Sequence, residues 1–332
     1  MNAGIDKRRR YSELDVFRGL AIISILLYHY TTRYDQIYGH PAMLFEFPYG
    51  KYGVKFFFML SGFAIYMSFE SVKSNYQFVM NRVSKLYPAY WVSLLITYGT
   101  VSIFSLPGRE VTPLDVIINL TMLQDWISLF FNVTHVDGAY WTLSRFISFY
   151  LIVFMINKLN LRKQLHLVLL VWLLTIVVLK LVGDLPEILR LIFLENEGIF
   201  FMIGILFYML KEDSRKLSTI SILALCVVAT LIFGGRTGLV FALLFSMLFV
   251  LFICNYLAFI NCKSLIFLGS ISYSLYLLHQ NIGFIIIREL HKIELNYFLV
   301  IIIPATVSII MATLVTYYIE RPMVKFLRRR VV

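Results

Sequence analysis

The sequence predicts an all-α polytopic membrane protein, with about ten transmembrane helices, an amphipathic segment on the outer face and both termini in the cytoplasm. Three observations predict it. Of 332 residues, 60% are hydrophobic and only 15% charged, and the mean hydropathy is +0.80. Several apolar runs approach the roughly 20 residues that cross a bilayer. The basic residues fall in short clusters beside those runs, where the positive-inside rule expects cytoplasmic loops. The same clustering argues against nucleic-acid binding as the reason for the net charge of +11.

Clusters at 7–10, 82–85, 158–163, 211–216 and 325–330 set the direction of each segment between them. The spans read as 14–33, 53–70, 86–105, 140–157, 165–182, 188–210, 217–233, 239–258, 265–287 and 297–319. The first follows Lys7, Arg8, Arg9 and Arg10, and no small-residue cleavage site follows its apolar stretch, so it reads as a retained span. Counting Leu114–Phe131 as a span would put the 158–163 cluster outside. Its Asp115, Asn119, Gln124 and Asp125 instead mark an amphipathic helix on the outer face. Arg190, Glu195 and Glu197 are expensive in lipid, which makes 187–197 an outer cap and starts the true span near Ile199. Cys226, Cys254 and Cys262 lie within or beside apolar helices and form neither a disulfide framework nor a metal cluster. With no linker, repeat or low-complexity tract, residues 1–332 read as one transmembrane domain without an appended soluble domain.

Arg18 and His29 share the first apolar segment, and an intramembrane Arg or His marks a functional site by default. Eleven helical residues rise about 16 Å and return to within about 20° of the same face. One ligand can therefore touch both, its anionic end on the guanidinium and its reactive end at the imidazole. Asp15, one turn before Arg18, offers a simpler helical ion pair, and His29 can equally serve interhelical hydrogen bonding. Arg82 and Lys85 before Leu86-Tyr87-Pro88 either obey the positive-inside bias or bind phosphates. Thr134-His135-Val136-Asp137-Gly138-Ala139-Tyr140-Trp141 leads into a span, with Trp141 placed as an interfacial anchor or a sugar face. His279, closing the run from Ser272 through Tyr273, is a second buried imidazole suited to support or acceptor contact.

Together these stretches resemble the acyltransferase 3 family of integral membrane acyltransferases, and the resemblance runs from Leu14 to Pro322. Leu14 through His29 looks like the family's Arg and His pair. Phe56-Phe57-Phe58-Met59-Leu60-Ser61-Gly62-Phe63, Arg82 to Pro88, Trp141-Thr142-Leu143-Ser144, Ser272 to His279 and Glu320-Arg321-Pro322 look like its later landmarks. The resemblance implies transfer of an acyl group, most commonly acetyl, from cytoplasmic acetyl-CoA or another acyl-CoA to a hydroxyl of an extracytoplasmic glycan: polysaccharide, lipopolysaccharide or peptidoglycan. The absence of an appended domain points to a lipid-linked or nascent surface glycan as the acceptor. The enzyme would be a multi-pass protein of the inner (cytoplasmic) membrane. It makes His29 and Arg18 catalytic and assigns Arg18, Arg82 and Lys85 to the coenzyme. Asp15, His135, Asp137, Trp141, Tyr150, Tyr273 and His279 become acceptor-side or supporting residues. The chain departs from the family pattern at one place: Phe146 stands where a carboxylate is expected, and Glu46, Asp137 and Glu195 are the candidates to replace it.

The chemistry stays open between two routes. His29 either takes the acceptor proton as a base or carries the acyl group itself. A transporter, or a scaffold of an envelope polysaccharide pathway without acyl transfer, is the rival reading. The shortage of paired broken helices counts against the transporter.

Overall fold

A computed structural model describes residues 11–41, 44–69, 74–212, 217–257, 259–260 and 262–329. Lys7, Arg8, Arg9 and Arg10, residues 213–216 of the fourth basic cluster, and Arg330 lie outside the described residues. Among the described residues the structure is all-helical.

Helix α1 (Ser12–Tyr28) passes through a π-helical turn, His29–Arg33, into the short α2 (Tyr34–Tyr38). The chain returns as α3 (Gly53–Phe69) and rises again as α4 (Asn75–Phe104). Two short helices follow, α5 (Pro113–Asn119) and α6 (Gln124–Ile127), then α7 (Trp141–Lys158), α8 (Leu165–Val182), α9 (Glu187–Phe193) and α10 (Gly198–Glu212). The long α11 (Leu217–Ile253) is two arms, because Gly235 leaves helical geometry at φ 64°, ψ −168°. Helices α12 (Lys263–Leu278) and α13 (Gln280–His291) meet at His279. Helix α14 (Tyr297–Val315) runs through a second π-turn, Thr316–Glu320, into α15 (Arg321–Arg329). Among the described residues, six segments are long and apolar enough to cross a membrane: Ser12–Tyr38, Gly138–Lys158, Leu161–Val182, Glu187–Glu212, Leu217–Ile253 and Tyr297–Arg329.

Helix α1 is the shared wall of two cores. One side packs against α3, α7, α8, α10 and α11 through aromatic contacts such as Phe17 on Phe249. The other faces α4, α12, α13 and α14. Its crossing with α12 is at backbone distance: a Cβ on Gly19 would strike the Leu265 carbonyl, and one on Gly269 the Asp15 carbonyl. Small residues at both sides of a crossing allow that approach, and the closeness favours dispersion contacts between helices in an apolar medium. Gly62, read from the sequence as a close-approach residue, fills the same role against Phe201 of α10.

The segment 114–131 departs from expectation. In place of one amphipathic helix there are two, broken around Met122, which has φ 61°. Their polar residues turn into the protein. Asn119 and Gln124 are buried and bind the backbone of the following loop: the Asn119 amide donates to the Thr134 carbonyl at 2.9 Å, and Gln124 donates to that of Tyr140 at 3.2 Å. Leu114 and Ile117 face outward instead. The backbone of a buried loop must find partners, and that need captured the polar residues. Burial pushes the Asp115 carboxyl up, but hydrogen bonds from Thr134 and Thr112 outweigh it and hold the group below its ordinary value. Between Glu187 and Glu197 the chain forms the short α9, turns at Leu194 in the left-handed region, and resumes helix at Gly198.

Candidate active site

Two cavities lie along α1, separated by a neck. The basal cavity, about 830 Å3, opens where α1 begins, and cations from three elements line it: Arg18 of α1, Arg82 and Lys85 of α4, and Arg321, Lys325 and Arg328 of α15. Its carboxylates are Asp15 and Glu320. The distal cavity, about 730 Å3, is lined by His29, Arg33, Lys51, Lys55, Arg109 and Lys180, with Glu197 as its lining carboxylate. Val54, Phe58 and Tyr276 line both and form the neck.

In the basal cavity Arg18 sits one turn from Asp15 and pairs with it at 2.7 Å, as the i,i+3 spacing dictates. Arg82 donates to the Ser68 hydroxyl at 2.6 Å and lies over the Tyr150 ring, 5.7 Å from its centroid. Its Nε is buried with no acceptor among the described residues. Tyr273 donates to the Leu86 carbonyl at 3.0 Å, tying α12 to the start of the α4 wall. The second π-turn brings Glu320 inward, where Ser274 donates to it at 3.1 Å and Thr316 bonds Ser274 at 2.9 Å.

His29 opens the first π-turn, and such turns are frequent at functional sites. Its Nδ1 lies 2.9 Å from the Ile25 carbonyl, which only an N–H can satisfy. His279 has the same tautomer by the same argument, its Nδ1 being 2.7 Å from the Tyr276 carbonyl. The remaining contact, His279 Nε2 to His29 Nδ1 at 3.2 Å, then has His29 donating and His279 accepting. Both rings are neutral in this arrangement, and His29 keeps an Nε2 lone pair that no described residue engages.

Around this pair the elements are pinned. The Tyr30 hydroxyl bonds the His279 carbonyl and Ser308, each at 2.9 Å. Asp137 accepts the backbone N–H of Ala139 at 2.8 Å and of Asn281 at 2.9 Å, stapling the start of α7 to the α12–α13 junction. Tyr276 donates to the Ala139 carbonyl at 3.0 Å.

The structure thus gathers Arg18, Arg82, Lys85, Asp15, Tyr150 and Tyr273 in one cavity, and sets His29 against His279 at the other. Arg18 and His29 do not share a cavity; a ligand reaching both has to pass the neck. Trp141 lines the distal cavity, with the Arg145 guanidinium 5.9 Å from its ring. His135 lines neither cavity and pairs with Asp125 at 2.7 Å. Asp137 has a positioning role, because both its oxygens are spent on backbone.

Phe146 stands in the basal cavity wall, packed on Phe58 at 5.4 Å and Phe201 at 5.7 Å between ring centroids. None of its three proposed substitutes lines either cavity. Glu46 is exposed, Asp137 is the staple, and Glu195 pairs with Arg190 at 3.2 Å. The cavity carboxylates are Asp15, which the sequence singled out as the partner of Arg18, and Glu197 and Glu320, which it did not select as replacements. Glu197 had a signal, a carboxylate costly in lipid just before an apolar helix. Lys55 had a similar one, two residues into α3. Arg33, Arg109 and Lys180 come from separate segments, and only the fold brings them together.

A family model for the acyltransferase 3 domain, described as an acyltransferase domain, matches residues 11–321. No curated protein and no solved structure matches the chain.

Proposed function

The chain belongs to the acyltransferase 3 family, and from that premise we propose that it moves an acyl group, acetyl by default, from cytoplasmic acyl-CoA to a hydroxyl of an extracytoplasmic surface glycan. The basal cavity takes the donor and the distal cavity the acceptor. The chain crosses the inner membrane ten times with both ends in the cytoplasm. The observation that carries this reading is the neutral His29 imidazole beside the neck, its Nε2 lone pair uncommitted.

The basal residues fit a phosphate-bearing coenzyme. Arg82 has a buried Nε–H that no described residue satisfies, and a buried unsatisfied donor is costly unless a ligand answers it. Arg18, Arg82 and Lys85 would hold the phosphates. Acyl-CoA supplies an activated acyl group as a thioester. His29 Nε2 accepts the proton of the glycan hydroxyl as that oxygen bonds to the thioester carbonyl carbon. The carbon–sulfur bond breaks, and the imidazolium returns the proton to the departing thiolate. His279 keeps His29 in the required tautomer by accepting from Nδ1.

Purified protein given radiolabelled acetyl-CoA and a surface-glycan extract should release free CoA and label the glycan, which neither a transporter nor a scaffold does. His29→Ala should lower that rate about 10²- to 10⁴-fold, the usual worth of a general base, while donor binding persists. Full activity in His29→Ala would remove His29 from the chemistry.

A further inference from the structure

Opposite the basic end of the bundle, the positive-inside bias leaves few cations to expect. Yet Arg33, Lys51, Lys55, Arg109 and Lys180 converge there on one cavity, with Glu197 the carboxylate that lines it. Lys180 is compensated, lying 3.8 Å from Glu195 and 2.8 Å from the Asn196 amide oxygen. Among the described residues the other four have no carboxylate within 4.0 Å. Arg33 meets only the neutral Gln36 amide at 3.3 Å. Lys55 rests on the Tyr52 and Phe200 rings at 5.0 and 4.9 Å, contacts that leave its charge uncancelled. Nothing in the packing requires these cations. A cleft of one sign with low-dielectric walls focuses its field and concentrates the opposite charge.

We propose that the distal cavity selects an acidic acceptor: a glycan whose negative group, a sugar carboxylate or a phosphate, is held by Lys51, Lys55, Arg33 and Arg109 while a neighbouring hydroxyl meets His29. This rests on the acceptor role given above to the distal cavity. Arg33 follows His29 by one turn of the same element, so an anion on Arg33 brings the next hydroxyls of its sugar to the imidazole. Trp141 and Phe200 supply aromatic surface for the ring's apolar side. Cations and aromatics in one concave site are the donor set for an acidic saccharide.

Binding separates this proposal from the acyl-transfer reading, because it needs no turnover. Purified protein is titrated with three probes by thermophoresis: trigalacturonate, its fully methyl-esterified neutral form, and a short-chain polyprenyl diphosphate. Trigalacturonate should bind at least about tenfold tighter than the ester, as expected when a charge-assisted hydrogen bond is lost. Lys51→Gln and Arg109→Gln should each erase most of that difference, whereas Lys292→Gln, exposed and away from the cavity, should not. Preference for trigalacturonate identifies a sugar carboxylate, and preference for the diphosphate a carrier phosphate. Equal binding of all three probes, or a preference that Lys51→Gln and Arg109→Gln leave intact in well-folded protein, overturns the proposal. Failure to release CoA, with the binding preference intact, counts against acyl transfer alone.

Discussion

The two cavities are both cationic, but they differ in how their charge and their walls are built. At the basal end two carboxylates stand among the cations: Asp15 pairs with Arg18 at 2.7 Å, and Glu320 is drawn in by Ser274 at 3.1 Å. The wall there is helix on helix, with Gly269 against the backbone of Asp15. At the distal end four cations lack a carboxylate partner, and the wall is made of helix starts, the Gly235 break and side-chain ends. A backbone-walled cavity is preorganised for one constant ligand. One with adaptable walls and cations that no carboxylate pairs relies on its ligand for the missing charge. That division suits a constant donor and a variable acceptor.

The strongest way to break this comparison is to make the same substitution in both walls. Gly269→Ala drives a methyl into the Asp15 carbonyl and should cost about 3 kcal/mol, the upper range for overpacking. Gly138→Ala meets only the ends of Gln280, at 2.5 Å, and Arg109, at 3.2 Å, and should cost less than about 1 kcal/mol because side chains can move aside. Thermal unfolding in detergent reads both. Equal losses would show that the walls are not different in kind.

Arg82→Gln sharpens the contrast in ligand terms. It should raise KM for the acyl donor about tenfold, the loss of one charge-assisted hydrogen bond, and leave KM for the glycan unmoved. A change in the glycan KM alone would exchange the roles of the two cavities.

The smallest effect concerns pH at the distal rim. His291 Nε2 lies 3.0 Å from His40 Nδ1, and His40 Nε2 lies 2.9 Å from the Tyr30 carbonyl, so His291 donates to His40, which donates to Tyr30. Burial lowers both imidazoles below their ordinary value of 6.5. A depressed histidine binds its proton more readily when unfolded, so its stabilising contribution is complete above that value and is lost as the pH falls beneath it. The unfolding midpoint should therefore drop on moving from pH 7.5 to pH 5, and drop less in His40→Gln. An identical slope in the two proteins would discharge the pair from this role.

The sequence made the helices legible wherever apolar length decided them, as in α8 and α14, and it placed the restart of helix near Ile199 within a residue of Gly198. It did not show the break of 114–131 at Met122, because polar spacing shows which residues share a helix face but not whether a buried loop will claim them. At the site, Arg18, Arg82, Lys85 and His29 stood out as charges within or beside apolar runs. What stayed hidden was relation. The neck between Arg18 and His29 is supplied by α3 and α12, and the distal cations come from four separate stretches of chain. Phe146 showed that a carboxylate was missing from its expected place, yet only the fold shows that Glu197 and Glu320 join Asp15 as the carboxylates at the cavities.

The neck of Val54, Phe58 and Tyr276 carries one more consequence. Wherever two wet chambers face opposite sides of an energised bilayer, whatever divides them is also a barrier to leakage. An apolar constriction does this by dewetting, rejecting hydrated ions while an uncharged acyl thioester slips through. Trimming Phe58 to alanine would then register as proton conductance in liposomes, a permeability defect in a protein that was never a channel.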